Sequence, residues 1–240
     1  FTLDYPSYGP FMKYSTVRNL RQDMWVAYNS RALGGEFDNS EIVKTIVDLR
    51  IKMANILGYE TWADYQLEER MAKDKKTVNE FISQLLVPSM EYALKDVEDV
   101  FKYAKKNGFE GDKLMPWDFS FWSERYQEAE YSLNAEELKP YFRLENCIDA
   151  VFSLANRLYG LEFVELDNVP VYHEDVKVYE VKDADGRHMA LFYADFFPRA
   201  SKRGGAWMTE FRGQSIKDGV EYRPFISTVM NFTKPTADAP

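Results

Sequence analysis

Apolar residues recur at helical spacing through the first 160 positions and then alternate with polar ones, so the pattern predicts helices followed by a small sheet. The first clear stripe runs from Thr16 to Arg31 behind Ser15, with Val17, Leu20, Met24 and Tyr28 on one side. A second helix opens at Asn39 or Ser40, both able to cap it, and carries Ile42, Val43, Ile46, Val47 and Met53 up to a stop at Gly58. Thr61 with Asp64 and Thr77 with Glu80 each have capping-box spacing, in which two side chains satisfy each other's unpaired amides. The Thr77 helix is long, reaching Gly108, and Pro88 should bend it because proline has no N–H to give. Pro116-Trp117-Asp118 opens another helix, and the helical part closes with Leu138 to Phe142 and Glu145 to Tyr159.

Beyond Gly160 the period falls to about two, the repeat of a strand. Val176, Val178, Glu180 and Lys182 fall on one face and Lys177, Tyr179 and Val181 on the other. Asp183-Ala184-Asp185-Gly186 is a hairpin signal, Arg187 to Asp195 the return strand and Phe225 to Phe232 a further strand. The tail from Thr233 to Pro240 reads as loop. The expected fold class is mainly α, with a helical region over residues 1–160 and a small antiparallel β-sheet region over 161–240. No Pro-, Gly- or Ser-rich linker separates the two.

Composition narrows the function classes. Of the 240 residues, 45% are hydrophobic and 16% aromatic, ample for a packed core. A formal net charge of -9 argues against nucleic acid as a partner, because phosphate binding needs a basic surface. No window approaches the roughly 18 apolar residues of a membrane span. The opening FTLDYPSYGPF has neither a basic leader nor an apolar core, so no signal peptide is expected, which leaves cytoplasmic and periplasmic placement open. The single Cys147 lies in an apolar helical pattern and reads as an inert, buried thiol.

Metal chemistry within these residues is not expected. His173 and His188 are 15 positions apart with no helix joining them, and a zinc site needs at least three converging ligands. His173 reads as a loop-fixing residue and His188 as an exposed strand residue. Carboxylates such as Glu68-Glu69, Glu128 with Glu130, and Glu136-Glu137 sit on polar helix faces and read as solvated. Asp195 differs, because it interrupts the apolar run Leu191-Phe192-Tyr193-Ala194 just before Phe196-Phe197. A carboxylate there needs a partner, so it reads as a structural ion pair with Arg199 or Arg203.

The most informative loop is Arg199-Ala200-Ser201-Lys202-Arg203-Gly204-Gly205-Ala206-Trp207. Three cations in an acidic chain form a patch suited to a carboxylate or the charged end of a peptide. Paired glycines permit positive φ or close approach of another backbone. On residue types alone the loop is either a surface turn or a substrate-facing element.

Five segments, taken in order, carry a resemblance. FTLDYPSYGPFMKYSTVRNLR, LRIKMANILGYETWADYQLEERMA and MPWDFSFW are followed by the stretch from Val171 to Trp207, and then by ISTVMNFTKPTADAP. This order resembles the thimet oligopeptidase and peptidyl-dipeptidase family of zinc metallopeptidases, and KRGGAWM leans toward its peptidyl-dipeptidase branch. The resemblance implies a zincin-type oligopeptidase fold, a helical shell around a channel that admits short peptides. It also implies zinc as cofactor, held by H-E-x-x-H and a later Glu that these 240 residues do not contain. By itself the fragment is therefore expected to be inactive, without catalytic or metal residues. The role implied for residues 1–160 is channel wall, and for 161–240 the sheet leading into the zinc helix. Gly204, Gly205, Ala206, Trp207, Arg199 and Arg203 become the substrate-binding candidates, the glycine segment pairing with peptide backbone. The implied activity is release of C-terminal dipeptides, with endopeptidase cleavage not separated from it. The competing reading is a non-catalytic helical peptide-binding or scaffold protein.

Overall fold

The computed structural model describes residues 1–132 and 134–235. The chain divides into two compact units, one of residues 10–132 and one of residues 1–9 with the chain from 133 onward. Among the described residues seven α-helices precede the strands: α1 (Tyr5–Tyr14), α2 (Arg18–Asn29), α3 (Ser40–Ile56), α4 (Trp62–Leu67), α5 (Lys75–Lys106), α6 (Pro116–Tyr131) and α7 (Leu144–Tyr159). The fold is mainly α, as the apolar periodicity requires.

Helix boundaries follow local chemistry. At α4 the Thr61 hydroxyl accepts from the Asp64 amide at 3.2 Å, and Asp64 accepts from the Thr61 amide at 3.1 Å, completing the expected capping box. The Thr77–Glu80 box does not form. Asp74, a stronger cap, accepts from the Thr77 amide at 2.7 Å and starts α5 at Lys75, two positions ahead of Thr77. α2 starts behind Val17 with no side-chain cap, and the Ser15 carbonyl just upstream accepts from Arg21 at 2.8 Å. Pro88 lies inside α5, which continues through it.

Packing between α5 and α6 is aromatic. Trp122 meets Tyr103 and Phe109 edge to face, at centroid separations of 6.5 and 6.0 Å. Only the far end of α5 is buried, at Val100 and Ala104, whereas Phe81, Ile82, Leu85 and Leu86 face outward. On α3 only Ala54 is buried, and Ile42, Val43, Ile46 and Val47 are exposed. Both apolar stripes exist as the sequence predicts, but among the described residues most of their length stays uncovered.

The second unit holds β1 (Glu162–Leu166), β2 (Lys177–Lys182), β3 (His188–Asp195), β4 (Trp207–Arg212), β5 (Ser215–Lys217), β6 (Val220–Tyr222) and β7 (Phe225–Val229). Gly160 ends α7 with φ +69°, the left-handed turn that lets β1 fold back. The hairpin between β2 and β3 turns on Gly186 with φ +78°, and Asp183 accepts from the Asp185 and Arg187 amides. Five strands form one sheet in the order β1-β2-β3-β7-β4, and β5 with β6 form a separate ribbon.

The sheet corrects one expectation, because it is mixed rather than wholly antiparallel. β3 and β7 run parallel, with Leu191 opposite Phe225 and Asp195 opposite Val229. β4 returns antiparallel after β3 but leaves a gap, and β7 fills it by pairing antiparallel with β4. A strand in that slot must run with β3, and residues 196–224 supply the long connection that a parallel pair needs. Tyr179, Ala194 and Phe196 form the centre of the core, with Phe152 of α7 stacked on Phe163 of β1 at 4.0 Å. Both faces of β2 are buried, at Val178 and Val181 as well as Tyr179, so the strand's alternation does not mark an inside and an outside. The loop-like tail is described only to residue 235, and positions 236–240 of that expectation lie outside the described residues.

Candidate functional site

Asp195 is the last residue of β3 and is 1% exposed. Arg199 grips it with two parallel bonds of 2.9 and 3.0 Å, the fork-on-carboxylate geometry that favours arginine. Lys202 adds a third cationic donor. Its ammonium bonds the Asp195 carboxylate at 2.9 Å, the Asp195 carbonyl at 3.0 Å and the Phe197 carbonyl at 2.7 Å. All three of its N–H groups are thereby satisfied, which is what a lysine side chain only 2% exposed requires. The Tyr172 hydroxyl completes the cluster by donating to Asp195 at 3.1 Å.

Burial works against the charged form of Asp195, but Arg199 and then Lys202 outweigh it and hold the carboxyl below its usual range. Burial pushes the Tyr172 phenol up, keeping it a donor. The sequence foresaw the ion pair and named Arg199, but it missed Lys202. Arg203, the other named partner, stays exposed and takes no part in the pair. The three cations therefore do not act as one open patch, since two of them are spent on a single carboxylate.

Beyond this base the loop turns through its glycines. Gly205 has φ +100°, a conformation that side-chain-bearing residues rarely adopt. Gly204 lacks a positive φ, and the space beside its α-carbon is open for 4 Å. The Asn231 side-chain amide, just past β7, donates to the Arg203 carbonyl at 3.1 Å and to the Gly205 carbonyl at 2.7 Å. Ala206 then leads into β4, where Trp207 lies opposite Val229, Met208 opposite Thr228 and Thr209 opposite Ser227.

β4 is the outermost strand of the five on this side, so among the described residues no strand pairs with its other edge. Met208 and Phe211 are exposed along it. An edge of this kind presents a row of main-chain donors and acceptors that an extended peptide can bond.

The histidines lie apart from this region chemically. His173 accepts from the Asp175 amide at 3.2 Å, the loop-fixing role expected of it. His188 is half-buried rather than exposed, 3.0 Å from a Glu180 oxygen across the hairpin. Among the described residues no three His, Cys, Asp or Glu side chains stand close enough to hold a metal ion. The residues present do not fit a zinc ion. Cys147 is half-buried, and Glu68, Glu69, Glu128, Glu130, Glu136 and Glu137 are exposed. No helix among the described residues is long and apolar enough to cross a membrane.

Residues 11–240 match peptidase family M3. The chain is 42% identical over its whole length to the probable cytosolic oligopeptidase A of Arabidopsis thaliana, of which it covers 35%. It is 35% identical over its whole length to oligopeptidase A of Escherichia coli, covering 36% of that protein. To the dipeptidyl carboxypeptidase of Salmonella typhimurium it is 36% identical over 93% of its length, covering 33%. The chain thus spans about a third of the length of the curated relatives it matches. A match over this much of the chain, with the segment order already noted, makes it a member of peptidase family M3.

Proposed function

We propose that this chain is part of a zinc-dependent metallopeptidase that hydrolyses short peptides and releases dipeptides from their C-termini. Residues 1–160 serve as channel wall, and residues 161–240 carry the substrate-side sheet that leads toward the zinc helix. Zinc, bound outside these residues, would activate the attacking water, and no step of that chemistry falls to the side chains described here.

The observation that carries the reading is the open edge of β4 preceded by Gly204, beside which the space is empty. An extended peptide added there is held by main-chain bonds, which suits an enzyme that must accept many sequences. In this reading Gly204, Gly205, Ala206 and Trp207 line the peptide, Arg203 meets it from solvent, and Arg199 shapes the loop from below. Membership of the family supports hydrolysis. The dipeptide-releasing choice rests on KRGGAWM alone, since identity to the Escherichia coli oligopeptidase A and to the Salmonella dipeptidyl carboxypeptidase is nearly equal.

Three measurements on the full-length protein test the proposal. Hydrolysis of a short fluorogenic peptide is expected to stop with a chelator and return with zinc; absent activity leaves the scaffold reading, and metal-independent hydrolysis overturns the zinc assignment. Mass spectrometry of products should give dipeptides from a free C-terminus and little from an amidated one. Gly204→Ala, whose methyl has room in the free protein, should leave the melting temperature unchanged and raise KM. An unaltered KM would remove the strand-addition reading.

A further inference from the structure

The connection from β3 to β4 is held at two points, and the second has no counterpart in the ion pair at its base. Asn231 reaches the loop tip with both hydrogens of one amide, donating to the Arg203 and Gly205 carbonyls on either side of Gly204. Asn231 is itself fixed. Directly before it the Met230 amide donates to the Asp195 carbonyl at 2.7 Å, and directly after it the Phe232 amide donates to the Phe196 carbonyl at 2.8 Å. The end of β3 thus sets the backbone of Asn231, and Asn231 sets the two glycines.

We infer that Asn231 is a positioning residue that holds Gly204-Gly205 in the shape a peptide backbone docks against. A glycine pair has more accessible conformations than any other dipeptide, so an untethered Gly204-Gly205 would have to be ordered when substrate binds. The doubly bonded amide orders it beforehand, including the positive φ at Gly205. Its effect belongs to binding, because Asn231 touches neither a metal ligand nor a nucleophile among the described residues. The inference rests on the strand-addition reading above, and its test separates the two.

The full-length protein would be assayed on a short fluorogenic peptide as Asn231→Ala, Asn231→Asp and Gly204→Ala, with melting temperature recorded for each. Asn231→Asp keeps the shape of the side chain and removes both donors. Both Asn231 variants are expected to raise KM about tenfold with kcat within about twofold and little change in melting temperature. A wild-type KM in Asn231→Asp would show that the donors are not the cause and overturn the inference. So would a fall in kcat that tracks a fall in melting temperature, the mark of a purely structural role. If Gly204→Ala raises KM while both Asn231 variants bind normally, positioning by Asn231 fails and strand addition stands. If Gly204→Ala binds normally, strand addition fails and takes this inference with it.

Discussion

Asp118 and Asp195 answer the same problem in the two units, and the location of their partners separates their roles. Each is a carboxylate 1% exposed or less that meets two cations. Asp118 takes Arg18 in a fork at 2.9 and 2.8 Å and Arg21 at 3.2 Å, both from α2, roughly a hundred positions away. It also accepts from the Met115 amide at 3.1 Å, capping α6. Arg21 spends its other donors on the Ser15 and Trp117 carbonyls and lies over the Phe121 ring at 4.1 Å. That arrangement joins one helix to another. The cationic partners of Asp195 follow it by four and seven positions, so the ion pair draws a single loop onto its own strand. The same ion chemistry fastens tertiary structure when its partners are distant and shapes a loop when they are close.

The largest expected effect is on the helical side. Asp118→Ala strands Arg21, whose side chain is 3% exposed, and should cost about 3–5 kcal/mol in denaturant unfolding. A loss under about 1 kcal/mol would mean that the Ser15 and Trp117 carbonyls and the Phe121 ring hold Arg21 without the carboxylate. Asp195→Asn should cost less, about 2–3 kcal/mol, because Arg199 is 20% exposed and Lys202 keeps its two carbonyl acceptors. In the full-length protein that variant should also raise KM for short peptides, whereas Asp118→Ala should not at temperatures where it is folded. An equal effect of both on KM would erase the distinction.

Acid should act on both clusters in the same direction. Burial opposes ionisation in each, yet the arginine bonds keep both carboxyls below their usual range. Folding therefore favours the deprotonated forms. The stabilisation is complete above the ordinary carboxylate value of about 3.9 and is lost as pH falls through the depressed values. Unfolding midpoints should be flat through neutral pH and drop below about pH 4, more shallowly in Asp118→Ala. Gly160→Ala gives the smallest effect and a reference free of charge. With φ +69° and the Ala184 methyl at 3.2 Å, it should cost about 1–2 kcal/mol without altering the acid response.

Legibility in the sequence followed the reach of each interaction. Asp195 stood out because a charge broke an apolar run, and Arg199 was four positions away. Lys202 was passed over, since nothing in its neighbourhood announces that an ammonium will be buried. Asp118 read only as part of a helix start, because its arginines lie on a helix far upstream. Local capping was readable at Thr61 and misassigned at Thr77, where Asp74 was the stronger competitor. Strand alternation located β2, β3 and β7 but gave no direction for β7, which depends on the gap left by β4. Asn231 sits at the end of an apolar strand, and its targets on another segment have no signature in spacing.

The placement of β7 also orders assembly. Among the described residues it follows every other strand in sequence yet is an interior one in the sheet, so β3 and β4 leave the ribosome before the strand that joins them. Until residues 225–229 emerge, both flanking strands carry unsatisfied main-chain groups toward an empty lane. The hairpin of β2 and β3 closes through near neighbours in the chain, whereas the lane between β3 and β4 waits for a strand made some thirty residues later. The outer edge of β4 takes its place in the sheet only once β7 has been laid down beside it.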